Sequence, residues 1–100
     1  MSAPAPTPGP WVVRSPKPAR YPAYRIETKG GHPIANVPIR ANNPASANAD
    51  LLAAAPELLD QCERAATILH NIIEAGQIGR GYATNLADLQ AVIAKARGEA

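Results

Sequence analysis

Phenylalanine is missing from this chain, and tryptophan, methionine and cysteine each occur once. Aromatic residues make up 4% of the 100 residues, and much of the 46% hydrophobic content is alanine. A chain this short buries one modest core, and one this poor in large side chains buries a smaller one still. The lone Cys62 excludes an internal disulfide, which fits a reducing cytoplasm. No apolar run approaches the roughly 18 residues a membrane span needs, so no membrane partner is expected. The N-terminus lacks a basic start followed by an apolar stretch and reads as no signal peptide.

Charge is sparse and uneven. The net charge of +2 combines six bases against two acids in residues 1–50 with four bases against six acids in residues 51–100. The front half is where an anionic partner would be sought.

Proline is the residue in excess, with 11 copies. Residues 2–10, SAPAPTPGP, alternate proline with small residues and read as a disordered tail over residues 1–10. The tail could also be a ligand for a proline-recognising domain through Pro4, Pro6, Pro8 and Pro10, but composition alone does not separate the two readings. Residues 11–100 read as a single small α+β domain. Strands are expected at about 11–14, 24–29 and 33–39, and helices at about 47–54, 56–75 and 85–97. The fold class is α+β: a small antiparallel sheet of two or three strands, then a kinked long helix and a second, antiparallel helix. Gly30-Gly31 suggests a two-residue hairpin turn between the second and third strands. Pro33 and Pro38 mark the third strand as an edge or interrupted one.

The stretch Ser46–Gly76 organises the rest. Leu51, Ala55, Leu58, Cys62, Ala65, Leu69 and Ile72 alternate spacings of four and three, and Leu52, Leu59, Ala66 and Ile73 widen the stripe. Glu57, Asp60, Gln61, Arg64, Thr67, Asn71 and Glu74 occupy the opposite side. Pro56 would remove a hydrogen bond from a helix interior at a cost of about 3 kcal/mol but is harmless in a first turn. It therefore divides the stretch into a short helix and a long one, whose unbroken apolar phase suggests a shared core. Gly76 is expected to end the long helix as a left-handed cap, and Ser46 or Asn48 to begin the short one. Asn85 and Asp88 suggest a capping pair for the last helix.

No catalytic grouping emerges. His32 and His70 have no ligand at metal spacing, and Cys62 and His70, eight residues apart in a helix, are separated by roughly 12 Å. The chain reads as no enzyme, with no metal and no cofactor. Trp11, Arg14, Lys17, Arg20, Tyr21, Tyr24 and Arg25 interleave rings with cations, the chemistry that binds single strands, nucleotides or other anions. An ordinary basic loop with a core-anchoring tryptophan explains the same residues. Leu58, Cys62, Ala65, Leu69 and Ile72 follow the spacing of a coiled-coil seam. They form the candidate face for self-association, as a dimer, or for another partner; a monomer with the stripe wholly internal is the alternative.

Two motifs carry a resemblance. Thr7-Pro8-Gly9-Pro10-Trp11 opens a strand, and Ala47–Leu59, ANADLLAAAPELL, opens a helix. Together they resemble a widespread group of short phage and prophage proteins that share a TPGPW start, a variable strand region and an ANA-x-L-[IL]-AAAPELL helix. That pattern often has an arginine where this chain has Asp50. The resemblance implies a viral or prophage origin. By analogy with other small phage proteins, it implies an accessory role: binding a host protein and inhibiting host defence, as anti-CRISPR proteins do. The alternatives are a protein that sequesters nucleic acid or a nucleotide signal, and a virion or assembly component.

Overall fold

The computed structural model describes residues 5–99. Residues 1–4 of the expected tail therefore lie outside the described residues. The chain is α+β: a three-stranded antiparallel sheet is followed by three α-helices. Strands β1 (Trp11–Arg14), β2 (Ala23–Thr28) and β3 (Pro33–Pro38) lie in the order β1-β2-β3, so the proline-bounded β3 is an edge strand. Helices α1 (Ala45–Ala53), α2 (Ala55–Glu74) and α3 (Ala83–Ala96) follow, with a 3₁₀ turn at Arg80–Tyr82 before α3.

Two compact units make up the described residues: Pro8–Glu57, and one built on residues 58–99. In the first, β2 alternates, with Ile26 fully buried among Val37, Ala45 and Ala49 and flanked by Trp11, Val13, Tyr24, Ile34, Ala35 and Ala53. The sheet's apolar face is thus covered by α1, whose alanines let its backbone come close. The β2–β3 register pairs Ile26 with Ala35 but Glu27 with Pro33, leaving Ile34 as an extra residue. This bulge lets the consecutive residues Ile34 and Ala35 both reach the cluster.

The second unit is a helical hairpin. Ala66, Ile73 and Leu86 are buried together, supported by Leu69, Ile78, Leu89 and Ile93. Arg97 Nε and Nη2 both donate to Glu63 Oε1, at 3.0 and 2.6 Å, and tie the end of α3 to the early part of α2. Since Leu86, at the start of α3, packs near the end of α2, the two helices are antiparallel. The Glu63 hydrogen bond, and then its charge, raise the Arg97 guanidinium above its ordinary pKa.

Several local expectations are corrected. The β2–β3 connection is four residues, Lys29–His32, not a two-residue turn, and of its glycines only Gly31 has positive φ (94°). Thr28 closes the wider turn: its N–H donates to the His32 carbonyl (2.8 Å), its carbonyl accepts from Gly31 N–H (2.9 Å), and its Oγ1 accepts from His32 N–H (3.0 Å). Helix α1 starts at Ala45 with Pro44 as N-cap and no side-chain cap, so neither Ser46 nor Asn48 caps it. Helix α3 likewise has no side-chain cap, because the 3₁₀ turn runs straight into it and replaces the expected Asn85–Asp88 pair.

The apolar stripe does not serve one core. Its α1 members Leu51 and Leu52 are exposed, α1 packs on the sheet through Ala45, Ala49 and Ala53 instead, and only the α2 part of the stripe joins the helical-hairpin cluster. The buried line of α2 also runs through Ala66 and Ile73, which the sequence pattern put on the stripe's edge, while Leu58 is 49% exposed. The expected polar side, Glu57 to Glu74, is exposed throughout, and Gly76 ends α2 with φ of 71°.

Two predictions test this packing. A Cβ on Gly9 would stand 2.8 Å from Pro56 Cβ, whereas one on Gly79 meets nothing within 4 Å. Gly9→Ala should lower the thermal unfolding midpoint and Gly79→Ala should leave it nearly unchanged; equal midpoints would refute the contact. Leu69→Asp places a charge against the Ala66–Ile73–Leu86 cluster and should abolish much of the helical circular dichroism, while Leu58→Asp should retain it.

Candidate functional site

Alternation along β1 and β2 sends Arg14, Arg25 and Glu27 to the face opposite the Ile26 cluster. The register sets Arg14 directly across from Arg25, a like-charge pairing that is unfavourable alone. Glu27 relieves it: Arg14 Nε donates to Glu27 Oε1 at 3.1 Å, and Arg25 Nη1 lies 3.8 Å from Glu27 Oε2. The Glu27 side chain is only 13% exposed, so two arginines share one largely desolvated carboxylate and the trio keeps a net positive charge.

The proline-rich connection from β1 to β2 brings further groups to this face. Lys17, Ala19, Tyr21, Ala23, Arg25 and Asn36 line an open depression of about 210 Å³. Tyr21 is 81% exposed, and the Arg20 guanidinium carbon lies 5.6 Å from its ring centroid, a cation–π arrangement. The structure therefore brings together Lys17, Tyr21 and Arg25, with Arg20 on the tyrosine ring and Arg14 joined through Glu27. It places Trp11 and Tyr24 elsewhere, half-buried against the Ile26 cluster on the other side of the sheet. Asn36 is the lining residue that the sequence pattern does not reveal. It joins the site because the strand register sets it opposite Arg25, and register is not visible in a run interrupted by prolines.

The candidate association face divides differently. Cys62, Leu69 and Ile72 are half-buried, while Leu58 and Ala65 are exposed. Cys62 is a free thiol. Exposed apolar groups also occur on α1, where Leu51 is 63% and Leu52 43% exposed. On the hairpin, His70 shares a shallow cleft with Ala66, Thr67 and Gln90, and His32 is exposed beside the β2–β3 turn. Among the described residues no group of His, Cys, Asp and Glu could hold a metal ion. Among them, too, no helix is long and apolar enough to cross a membrane.

No curated protein and no solved structure matches the chain. A family model does, along its whole length. The match to the family described as Salmonella phage P22 protein Y8K6 covers residues 1–100, and the chain belongs to that phage protein family.

Proposed function

We propose that this phage protein is a non-enzymatic accessory protein that binds a host protein in the host cytoplasm and inhibits a component of host defence. The observation that carries the reading is the leucine pair on α1. One side of that helix is committed to the sheet through Ala45 and Ala49, yet Leu51 and Leu52 stand 63% and 43% exposed. One exposed leucine is ordinary; two adjacent ones, on a helix already buried along its other side, leave apolar surface that the internal core does not use. Full burial of a leucine side chain is worth about 1.5–3 kcal/mol, so a partner covering both has a substantial driving force. The unpaired Cys62 suits a reducing compartment. The choice of host defence as target rests on analogy with other small phage proteins.

The test is affinity capture from host cells expressing the tagged chain, with bound proteins quantified by mass spectrometry. The parent should retain a defined host protein at physiological salt. Leu51→Ser with Leu52→Ser should keep its circular dichroism but lose that protein at least roughly tenfold. Ile68→Ser, removing an equally exposed apolar group from α2, should retain it. Absence of any captured host protein, or full retention by the double variant, would overturn the reading.

A further inference from the structure

We propose that Lys17, Tyr21, Arg25 and Asn36 form a binding site for one nucleotide unit of a single-stranded nucleic acid, with the base on the Tyr21 ring and its phosphate on Lys17 and Arg25. This site is independent of the α1 leucines.

Size narrows the ligand first. Pockets that enclose a small molecule run to about 300–1,000 Å³, whereas this depression offers about 210 Å³ and is open to solvent. It can hold one unit of a longer chain that is anchored on either side, but it cannot engulf a free molecule.

Chemistry narrows it further. Lys17, Arg25 and the adjacent Arg14 outnumber the one acid on this face, Glu27, and Arg20 adds another cation beside Tyr21. Arg25 Nη1 stands 3.8 Å from Glu27 Oε2, an ion pair too long to be a hydrogen bond, so that N–H remains available to a phosphate oxygen. Among the described residues Tyr21 is the most exposed large apolar side chain, at 81%. An exposed ring flanked by cations is the arrangement on which unpaired bases stack. The amide of Asn36 can both donate to and accept from a base edge. A duplex keeps its base faces inside the stack and offers Tyr21 nothing to cover.

The loop is also preformed. Pro16, Pro18 and Pro22 each fix their own φ, and Ile39 N–H donates to the Pro22 carbonyl at 3.0 Å, tying the loop's end to the end of β3. Binding therefore orders little that is not already ordered, and less affinity is lost to loop entropy.

Fluorescence polarisation with a labelled short oligothymidine tests the site, using the full chain. Affinity should fall with added salt, with a log–log slope of about −0.7 for the one phosphate held by Lys17 and Arg25. Tyr21→Ala should weaken binding by about 5- to 100-fold with little change of slope. Lys17→Ala should weaken binding and flatten that slope, whereas Tyr21→Ala should not flatten it. Both side chains are exposed, so the variants should keep the parent's circular dichroism. Arg64→Ala removes an equal charge from α2, where Arg64 pairs with Asp60, and should bind as the parent does. The proposal is overturned if the strand does not bind, or if Tyr21→Ala with Lys17→Ala binds like the parent. It is equally overturned if Arg64→Ala weakens binding as much as Lys17→Ala, or if duplex or free thymidine monophosphate binds as tightly as the strand.

Discussion

Pro56 is the constraint on which the arrangement of this chain depends. From Ala45 to Glu74 nearly every residue favours a helix, and without an interruption the stretch would form one rod. Pro56 has no N–H to give, and its ring crowds the carbonyl four residues earlier, so the helix must restart. It does so within one residue: Ala54 closes α1 by donating to the carbonyls of Asp50 and Leu51, and Pro56 takes the first turn of α2, where helix N–H groups lack partners anyway. The same proline lies against Gly9, whose missing side chain leaves room for the ring. One imino acid thus ends α1, starts α2 and seats the segment that leads into β1.

The break lets each helix serve a different cluster. Helix α1 uses alanines, and short side chains allow it to lie close to a sheet whose one fully buried large residue is Ile26. Helix α2 uses Ala66 and Ile73 against Leu86 of α3. Both clusters are small, as a chain without phenylalanine and rich in alanine requires. A small core also leaves apolar groups over. Leu51, Leu52, Leu58, Ile68 and Val92 are all substantially exposed, and they, not the core, are the surplus available to a partner.

The polar side of the sheet follows from the same economy. Period-two alternation commits Val13, Tyr24 and Ile26 to α1's side and leaves Arg14, Arg25 and Glu27 on the other. Glu27 tempers the repulsion between the two arginines without cancelling their charge. The neighbouring loop, held by its prolines, adds Lys17 and Tyr21. A basic, ring-bearing surface arises here without a dedicated cavity, because a half-buried sheet must put its charges somewhere.

The α+β class, the three strands and the three helices were legible in the sequence because each rests on local information: alternation in Tyr24–Thr28, four–three spacing in Leu51–Ile72, and punctuation by Gly76 and Pro56. The phage origin was legible too, in the motifs at residues 7–11 and 47–59, and the family match agrees with it. What depends on long-range partners was not legible. The Lys29–His32 turn depends on Thr28 bonding across it, and the start of α3 on the 3₁₀ turn before it. The basic–aromatic cluster was visible as composition, but composition has no faces. Only pairing in register could move Trp11 and Tyr24 to the core side, leave Lys17, Tyr21 and Arg25 together, and bring Asn36 to them from a strand eleven residues further on than Arg25. Likewise, a helical stripe states which residues are apolar, but not which of them will find a neighbour. That was decided when Pro56 divided the stripe and tertiary packing buried Ala49, Ala66 and Ile73 while leaving Leu51, Leu52 and Leu58 in water.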